Sequence, residues 1–90
     1  MLDDTIIIDR IINGEDVHVE IEGETDVALL ELKDWLAQFC EVRPNMYALP
    51  KGGYKITLRL NTSRRGLQER TLIAGTLQSS PLRVELLNSR

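Results

Sequence analysis

The sequence predicts an α+β fold, with a mostly antiparallel sheet of four to five strands and two helices on one face. Apolar and polar residues alternate, as in half-buried strands, at residues 16–22, 54–61 and 82–87. Residues 26–41 and 64–78 instead repeat apolar residues at the three- and four-residue spacing of a helix. A chain of 90 residues with this pattern is expected to form a single small domain, residues 1–90.

The N-terminal segment, residues 5–12, is rich in isoleucine, a β-branched residue that favours strands. Asn13-Gly14 follows, and this dipeptide between apolar runs is typical of a tight hairpin turn. We therefore expect residues 5–12 to form an extra N-terminal strand that pairs with residues 16–22.

Ile7 and Ile11 would then lie on the polar face of this strand. Exposed isoleucines on a strand with a free edge invite pairing with another chain. The sequence therefore predicts self-association through Ile7 and Ile11, most simply as a homodimer.

The predicted helix over residues 26–41 has Thr25 as a suitable N-cap and ends before Pro44. Its apolar stripe comprises Leu29, Leu32, Leu36 and Phe39. Residues 45–49 are expected to form a short strand, and residues 50–53 a turn.

The second helix, residues 64–78, has the weaker pattern. Gly66 and Gly75 each cost a helix about 1 kcal/mol relative to alanine, and residues 71–73 also suit a strand. Ser80-Pro81 supplies a stop signal, which favours the helix.

Without the first strand, the elements run β-α-β-β-α-β, which is the ferredoxin-like pattern. That pattern places residues 16–22 in the middle of the sheet, between residues 54–61 and 82–87. A central strand has no free edge for a hairpin partner, so the extra strand and this order conflict. The sequence leaves both arrangements open.

The two halves of the chain carry opposite charge. Residues 1–42 contain twelve acidic and two basic residues, a net charge of −10, whereas residues 43–90 contain nine basic and two acidic residues, a net charge of +7. Either the halves interleave and neutralise each other, or they present oppositely charged surfaces to partners. Interleaving would place Glu20 and Glu22 beside basic residues of neighbouring strands. Those bases are Lys55, Arg59 and Arg83.

Residues that could carry chemistry are scarce. His18 and Cys40 are the only histidine and cysteine, so the sequence offers no internal disulfide and no zinc-ligand spacing. Pairing of the first two strands would bring Asp9 near His18, but no nucleophile is placed beside that pair. Calcium-binding and phosphate-binding loops are also missing from the sequence. We expect no enzyme, no metal and no cofactor.

Arginines concentrate near the predicted start of the second helix. Arg64 and Arg65 precede Gly66, and Arg59 and Arg70 lie close in sequence. Arginine binds carboxylates and phosphates through two parallel hydrogen bonds. The sequence therefore predicts that Arg59, Arg64, Arg65 and Arg70 bind an anionic group of a partner.

These observations favour a non-catalytic protein–protein interaction domain, such as a small adaptor, inhibitor or regulatory subunit, acting through charge-complementary surfaces. The alternative is a nucleic-acid-binding protein that uses the four arginines. The net charge of −3 and the lack of an aromatic residue at the outward positions of the predicted strands argue against it. A third hypothesis, a small-ligand regulatory domain of ferredoxin-like type, rests on fold analogy alone.

The acidic N-terminus shows no secretory signal, and no apolar run approaches the length of a membrane span. We expect a cytoplasmic protein whose partner is another protein and not a membrane.

Overall fold

The computed structural model describes residues 2–87, with side chains from residue 5 onward. The chain forms an α+β fold with a four-stranded antiparallel sheet and three helices. Its elements are α1 (Leu2–Ile12), β1 (Val17–Gly23), α2 (Asp26–Leu36), β2 (Asn45–Ala48), β3 (Tyr54–Leu60), α3 (Leu67–Ser79) and β4 (Arg83–Leu86). Single 3-10 turns follow α2 at Ala37–Phe39 and precede α3 at Thr62–Arg64.

The strand order is β2-β3-β1-β4, and every neighbouring pair is antiparallel. In the centre, Ile21 lies opposite Ile56 on one side and Val84 on the other. The prediction that residues 16–22 lie between residues 54–61 and 82–87 is confirmed.

The prediction of an N-terminal strand over residues 5–12 is wrong, because these residues belong to α1. Ile7, Ile8 and Ile11 share one face of this helix and pack into the core. The spacing of the isoleucines, and the surface available to cover them, outweigh the modest strand preference of β-branched residues.

The predicted Asn13-Gly14 hairpin is also wrong. Gly14 has a φ of +81° and ends α1. Its N–H donates to the carbonyl of Ile11 at 3.0 Å, and the N–H of Glu15 donates to the carbonyl of Arg10 at 2.9 Å. This is the Schellman arrangement, in which a glycine of positive φ satisfies the last carbonyls of a helix.

The expected exposure of Ile7 and Ile11 is therefore corrected. Ile7 is 1% exposed and Ile11 is fully buried. Because both side chains are covered within the chain, the observation that motivated self-association through them no longer holds.

The core lies between one face of the sheet and the three helices. The strand residues on this face are Val17, Val19, Ile21, Ile56, Leu58, Leu60 and Val84, all buried. Helices α2 and α3 and the 3-10 turn contribute Leu29, Leu36, Phe39, Ile73, Ala74 and Leu77. The opposite, outer face of the sheet carries polar side chains that are half-buried or exposed. All helices thus cover one face, as expected, but there are three instead of two in the described residues.

The helix expected over residues 26–41 is shorter in the structure. α2 ends at Leu36, and the 3-10 turn carries Phe39 into the core. Leu32 is only half-buried, whereas the other three residues of the predicted stripe are buried. The helix expected over residues 64–78 is confirmed with a later start, since Gly66 is the N-cap of α3.

Candidate functional site

The four arginines expected to bind an anion have different environments. Arg59 lies exposed on the outer face of β3, opposite His18 of β1. Arg64 projects from the 3-10 turn, where its nearest acidic partner is the exposed Glu41 at 3.9 Å. Arg65 and Arg70 instead bind carbonyl groups of the protein itself. The structure therefore does not assemble all four side chains into one free basic cluster.

Arg65 joins the end of α2 to the start of α3. Its Nη2 donates to the carbonyl of Gln38 at 2.9 Å, and its guanidinium carbon lies 5.0 Å from the centre of the Phe39 ring. Glu69, one turn into α3, lies 3.8 Å from Nη1. The buried Nε has no hydrogen-bond partner among the described residues. A half-buried arginine in this position covers an aromatic ring and fixes a loop.

Arg70 joins α3 to the C-terminus of α1. Its Nε donates to the carbonyl of Ile12 at 2.9 Å, and its Nη1 donates to the carbonyl of Arg65 at 2.8 Å. The last carbonyls of a helix lack partners within the helix and attract cations. Arg70 thus contributes to the helix packing.

The loop before α3 is held by the segment before β1. The carboxylate of Asp16 accepts the backbone N–H of Ser63 at 3.0 Å, and the buried hydroxyl of Thr62 donates to the carbonyl of Glu15. Hydrogen bonds from the Ser63 backbone and side chain lower the pKa of Asp16, with smaller effects from nearby arginines. These contacts position the 3-10 turn that carries Arg64.

The outer face of the sheet combines charges from both halves of the sequence. Lys55 forms an ion pair with Glu20 at 2.8 Å, and this contact raises the pKa of Lys55. Glu22 stands opposite Lys55 on one side and Arg83 on the other. The expected juxtaposition of acidic β1 with basic neighbours is confirmed for these residues, so part of the charge split is neutralised internally.

His18 and Cys40 do not lie in a recognisable reactive arrangement. Asp9 lies on α1, so the strand pairing expected to bring it close to His18 does not form. Burial raises the pKa of the Cys40 thiol, whose sulfur lies 3.4 Å from the carbonyl oxygen of Leu36. Within residues 2–87, no three acidic, histidine or cysteine residues are grouped as a metal site.

An open cleft of about 780 Å³ lies at the end of the sheet, between Gly23, the β2–β3 turn and residues 81–83. It meets a second groove of about 360 Å³ that runs between α2 and α3 past Leu32 and Trp35. The larger cleft is lined by acidic and basic side chains together, so it does not select one sign of ligand charge. These side chains are Glu22, Glu24, Lys51 and Arg83.

β2 is an edge strand with little protection. It pairs with β3 on one side, and no strand of residues 2–87 pairs with its other side. β4 is the opposite edge, but α1 packs against it and it carries Arg83 and Glu85. β2, with the sequence Asn-Met-Tyr-Ala, contains neither charge nor proline. Its devices against pairing with another chain are its short length and the charged residues and prolines just outside its ends, at positions 43–44 and 50–51.

Exposed apolar side chains flank this edge on the helical side. Leu29 and Leu36 turn one face of α2 to the core, and Leu32 lines the groove shared with α3. By helical spacing, Leu30 lies on the flank of α2 away from α3, which is the side of β2, whereas Val27 lies nearly opposite Leu29 and faces away from the sheet. Val27 is 62% exposed and Leu30 is 42% exposed.

Two further apolar residues extend this surface. Val42, just before β2, is 80% exposed. Tyr47 pairs with Lys55 and therefore lies on the outer face, where it is 49% exposed. The expectation that outward strand positions lack an aromatic residue is wrong. It did not take into account the short strand β2, whose Tyr47 lies at such a position. We call residues 45–48 together with Leu30 and Val42 the β2 edge.

The sequence could not identify the β2 edge. Its weak signal is Leu30, an apolar residue that lies off the predicted helix stripe. Which strand lies at the edge of a sheet follows from the tertiary pairing and not from the residues of that strand.

Comparisons with protein-family models, with curated proteins and with solved structures give no match. Among residues 2–87, no helix has the length and apolar character needed to cross a membrane.

Proposed function

We propose that this chain is a non-catalytic protein–protein interaction domain, of the adaptor, inhibitor or regulatory type, and that its partner docks on the β2 edge. The observation that carries the proposal is the unpaired strand β2, free of charge and proline, with exposed apolar side chains on both sides. An extended segment of a partner adds to such an edge as a further strand.

Strand addition accounts for two features of the β2 edge, its unpaired backbone groups and its exposed apolar side chains. Hydrogen bonds to the unpaired backbone groups of β2 supply affinity that does not depend on the partner sequence. Alternate side chains of the added strand then contact the two faces, Leu30 on one and Tyr47 on the other, and supply specificity.

The test compares capture of binding proteins from the native host by the wild-type chain and by Ala48→Lys, which places a charge on the exposed edge. The matched control is Leu72→Lys, at an exposed leucine on α3. We expect Ala48→Lys to lose the partner and Leu72→Lys to retain it. With the purified partner, backbone amides of residues 45–48 should become protected from hydrogen exchange. A partner that binds both variants equally and protects other residues would refute the proposal.

A second candidate function is single-stranded nucleic-acid binding on the outer face of the sheet. The observation in its favour is Tyr47, which lies on that face near Lys55 and is available for stacking with a base. Three acidic side chains on the same face, Glu20, Glu22 and Glu85, oppose it.

The two candidates differ in salt dependence. Titration of a labelled oligothymidine should show binding that weakens steeply with salt and is reduced by Tyr47→Ala if the second candidate is right. Absence of binding at low salt would eliminate it.

We also propose a finer description of the fold, namely a ferredoxin-like arrangement preceded by α1. The strand order β2-β3-β1-β4 and the β-α-β-β-α-β order after α1 support it. The helix α1, packed on α3 and β4, is an addition to that arrangement. A small-ligand regulatory role would follow only by fold analogy, and nothing at the clefts strengthens it.

A further inference from the structure

We infer that the occupant of the β2 edge is an extended segment of a different protein, with acidic residues at both ends and apolar residues between them. This inference rests on the proposed function and adds the chemistry of the partner. The inference is argued from the charged side chains that surround β2.

A basic residue stands near each end of β2, and the one after β2, Lys51, shares its cleft with Glu24. Arg43 precedes the strand, Lys51 follows it, and both side chains are exposed. Arg59 projects from the outer face of the neighbouring strand β3. Within the described residues, none of these three forms an ion pair, although Lys55 and Arg64 do. A strand laid along β2 has one end on the side of Arg43 and the other on the side of the β2–β3 turn that carries Lys51, whichever direction it runs.

Between these ends the surface is apolar. A strand places successive side chains on opposite faces, so one set meets Leu30 and Met46 and the other meets Tyr47. The complementary segment therefore has apolar residues in its centre and carboxylates at its ends.

The same charges disfavour a second copy of this chain as the occupant. The longest two-fold antiparallel pairing of β2 with itself is centred on Tyr47, because side chains of paired residues must lie on the same face. Its ladder ends where Pro44 of each copy faces Pro50 of the other, and it brings Arg43 of each copy to the side of the turn that carries Lys51 of the other, so like charges approach each other twice. The pairing centred on Met46 instead places Pro44, which has no N–H, opposite Ala48 and shortens the ladder.

The experiment uses two synthetic peptides with identical alternating valine-threonine centres and a total length of about nine residues, the span from Arg43 to Lys51. One has aspartates at both ends and the other has lysines. Binding is measured by titration calorimetry against the wild-type chain, Ala48→Lys, and the double variant Arg43→Glu/Lys51→Glu. Thermal unfolding checks that each variant is folded.

We expect the aspartate-ended peptide to bind the wild type at least tenfold more tightly than the lysine-ended peptide, with the difference shrinking as salt is added. The double variant should reverse the preference, and Ala48→Lys should weaken both peptides. Equal binding of both peptides at the wild-type edge would overturn the charge inference while strand addition stands. Binding of neither peptide at millimolar concentration would overturn both.

Analytical sedimentation of the chain alone tests whether a second copy of this chain occupies the β2 edge. We expect a monomer at high micromolar concentration. A dimer that Ala48→Lys dissociates would show that a second copy occupies the edge, and the inference would then be wrong.

Discussion

At the residue scale, the role of an arginine depends on which carbonyl groups and aromatic rings near it lack another partner. Arg64 and Arg65 are adjacent in sequence, yet one extends from the surface and the other covers the Phe39 ring. Arg70, which the sequence assigned to the same anionic site, donates to the C-terminus of α1. Sequence proximity indicated a shared function, whereas the structure gives two of these side chains intramolecular partners.

We predict that Arg70→Ala destabilises the domain by about 1–3 kcal/mol, because hydrogen bonds from a charged donor to two carbonyls are lost. For a domain of this size, each kcal/mol lowers the melting temperature by about 4–8 °C. The measurement is thermal unfolding followed by circular dichroism.

Arg64→Ala is the matched control, since the exposed Arg64 has only a distant ion pair with Glu41. It should change the free energy of unfolding by less than about 0.5 kcal/mol. Equal losses in the two variants would show that the carbonyl contacts of Arg70 do not stabilise the fold.

At the element scale, α1 shows how packing overrides local preference. Isoleucine favours strands, and Asn-Gly favours hairpins, but both preferences amount to about 1 kcal/mol or less per residue. Burial of Ile7 and Ile11 contributes about 1.5–3 kcal/mol for each side chain. The helix forms because its isoleucines then meet the core together.

Two glycines in different conformations allow a test of the helix ends and interiors. Gly75 lies inside α3, and an alanine Cβ there would have no neighbouring atom within 4 Å, so Gly75→Ala should stabilise the domain by about 0.5–1 kcal/mol. Gly14 has a φ of +81°, so Gly14→Ala should destabilise it by about 1 kcal/mol. Urea unfolding measures both, and changes of the same sign would contradict the assignment of Gly14 as the helix cap.

A second test addresses the buried face of α2. Leu29 is fully buried, so Leu29→Ala should cost about 2–5 kcal/mol through lost contacts and a cavity. The adjacent Leu30 lies on the exposed flank, so Leu30→Ala should cost less than about 1 kcal/mol. Urea unfolding of both variants checks the difference, and a larger loss for Leu30→Ala would place the core on the other side of α2.

At the scale of the whole molecule, the two oppositely charged halves interleave. β1, from the acidic half, is the strand between β3 and β4, both from the basic half. The Lys55–Glu20 and Arg64–Glu41 ion pairs also join the halves. Charge complementarity is thus used within the fold, whereas Arg43, Lys51 and Arg59 around β2 form no ion pair among the described residues.

We predict that a chain divided between residues 42 and 43, in the exposed loop before β2, reassembles from its two fragments. Each fragment alone should be unfolded, because both ladders of β1 are made with the other fragment. Mixing should restore the near-ultraviolet circular dichroism of Trp35, and the affinity should fall with salt because the fragments carry −10 and +7. Salt-independent assembly would show that the charge split contributes nothing to folding.

The sequence by itself determined the α+β class, the strands β1, β3 and β4, and the helices α2 and α3. These elements have apolar periodicities that one buried face imposes, and such a periodicity can be recognised without knowing the fold. Only the tertiary structure decided that β1 is central, that residues 5–12 form a helix, that Arg65 and Arg70 bind carbonyls, and that β2 is an edge strand. The physical reason is that burial, hydrogen-bond partners and free edges depend on which distant segments of the chain come into contact. A short isoleucine-rich or arginine-rich stretch does not indicate which segments those are.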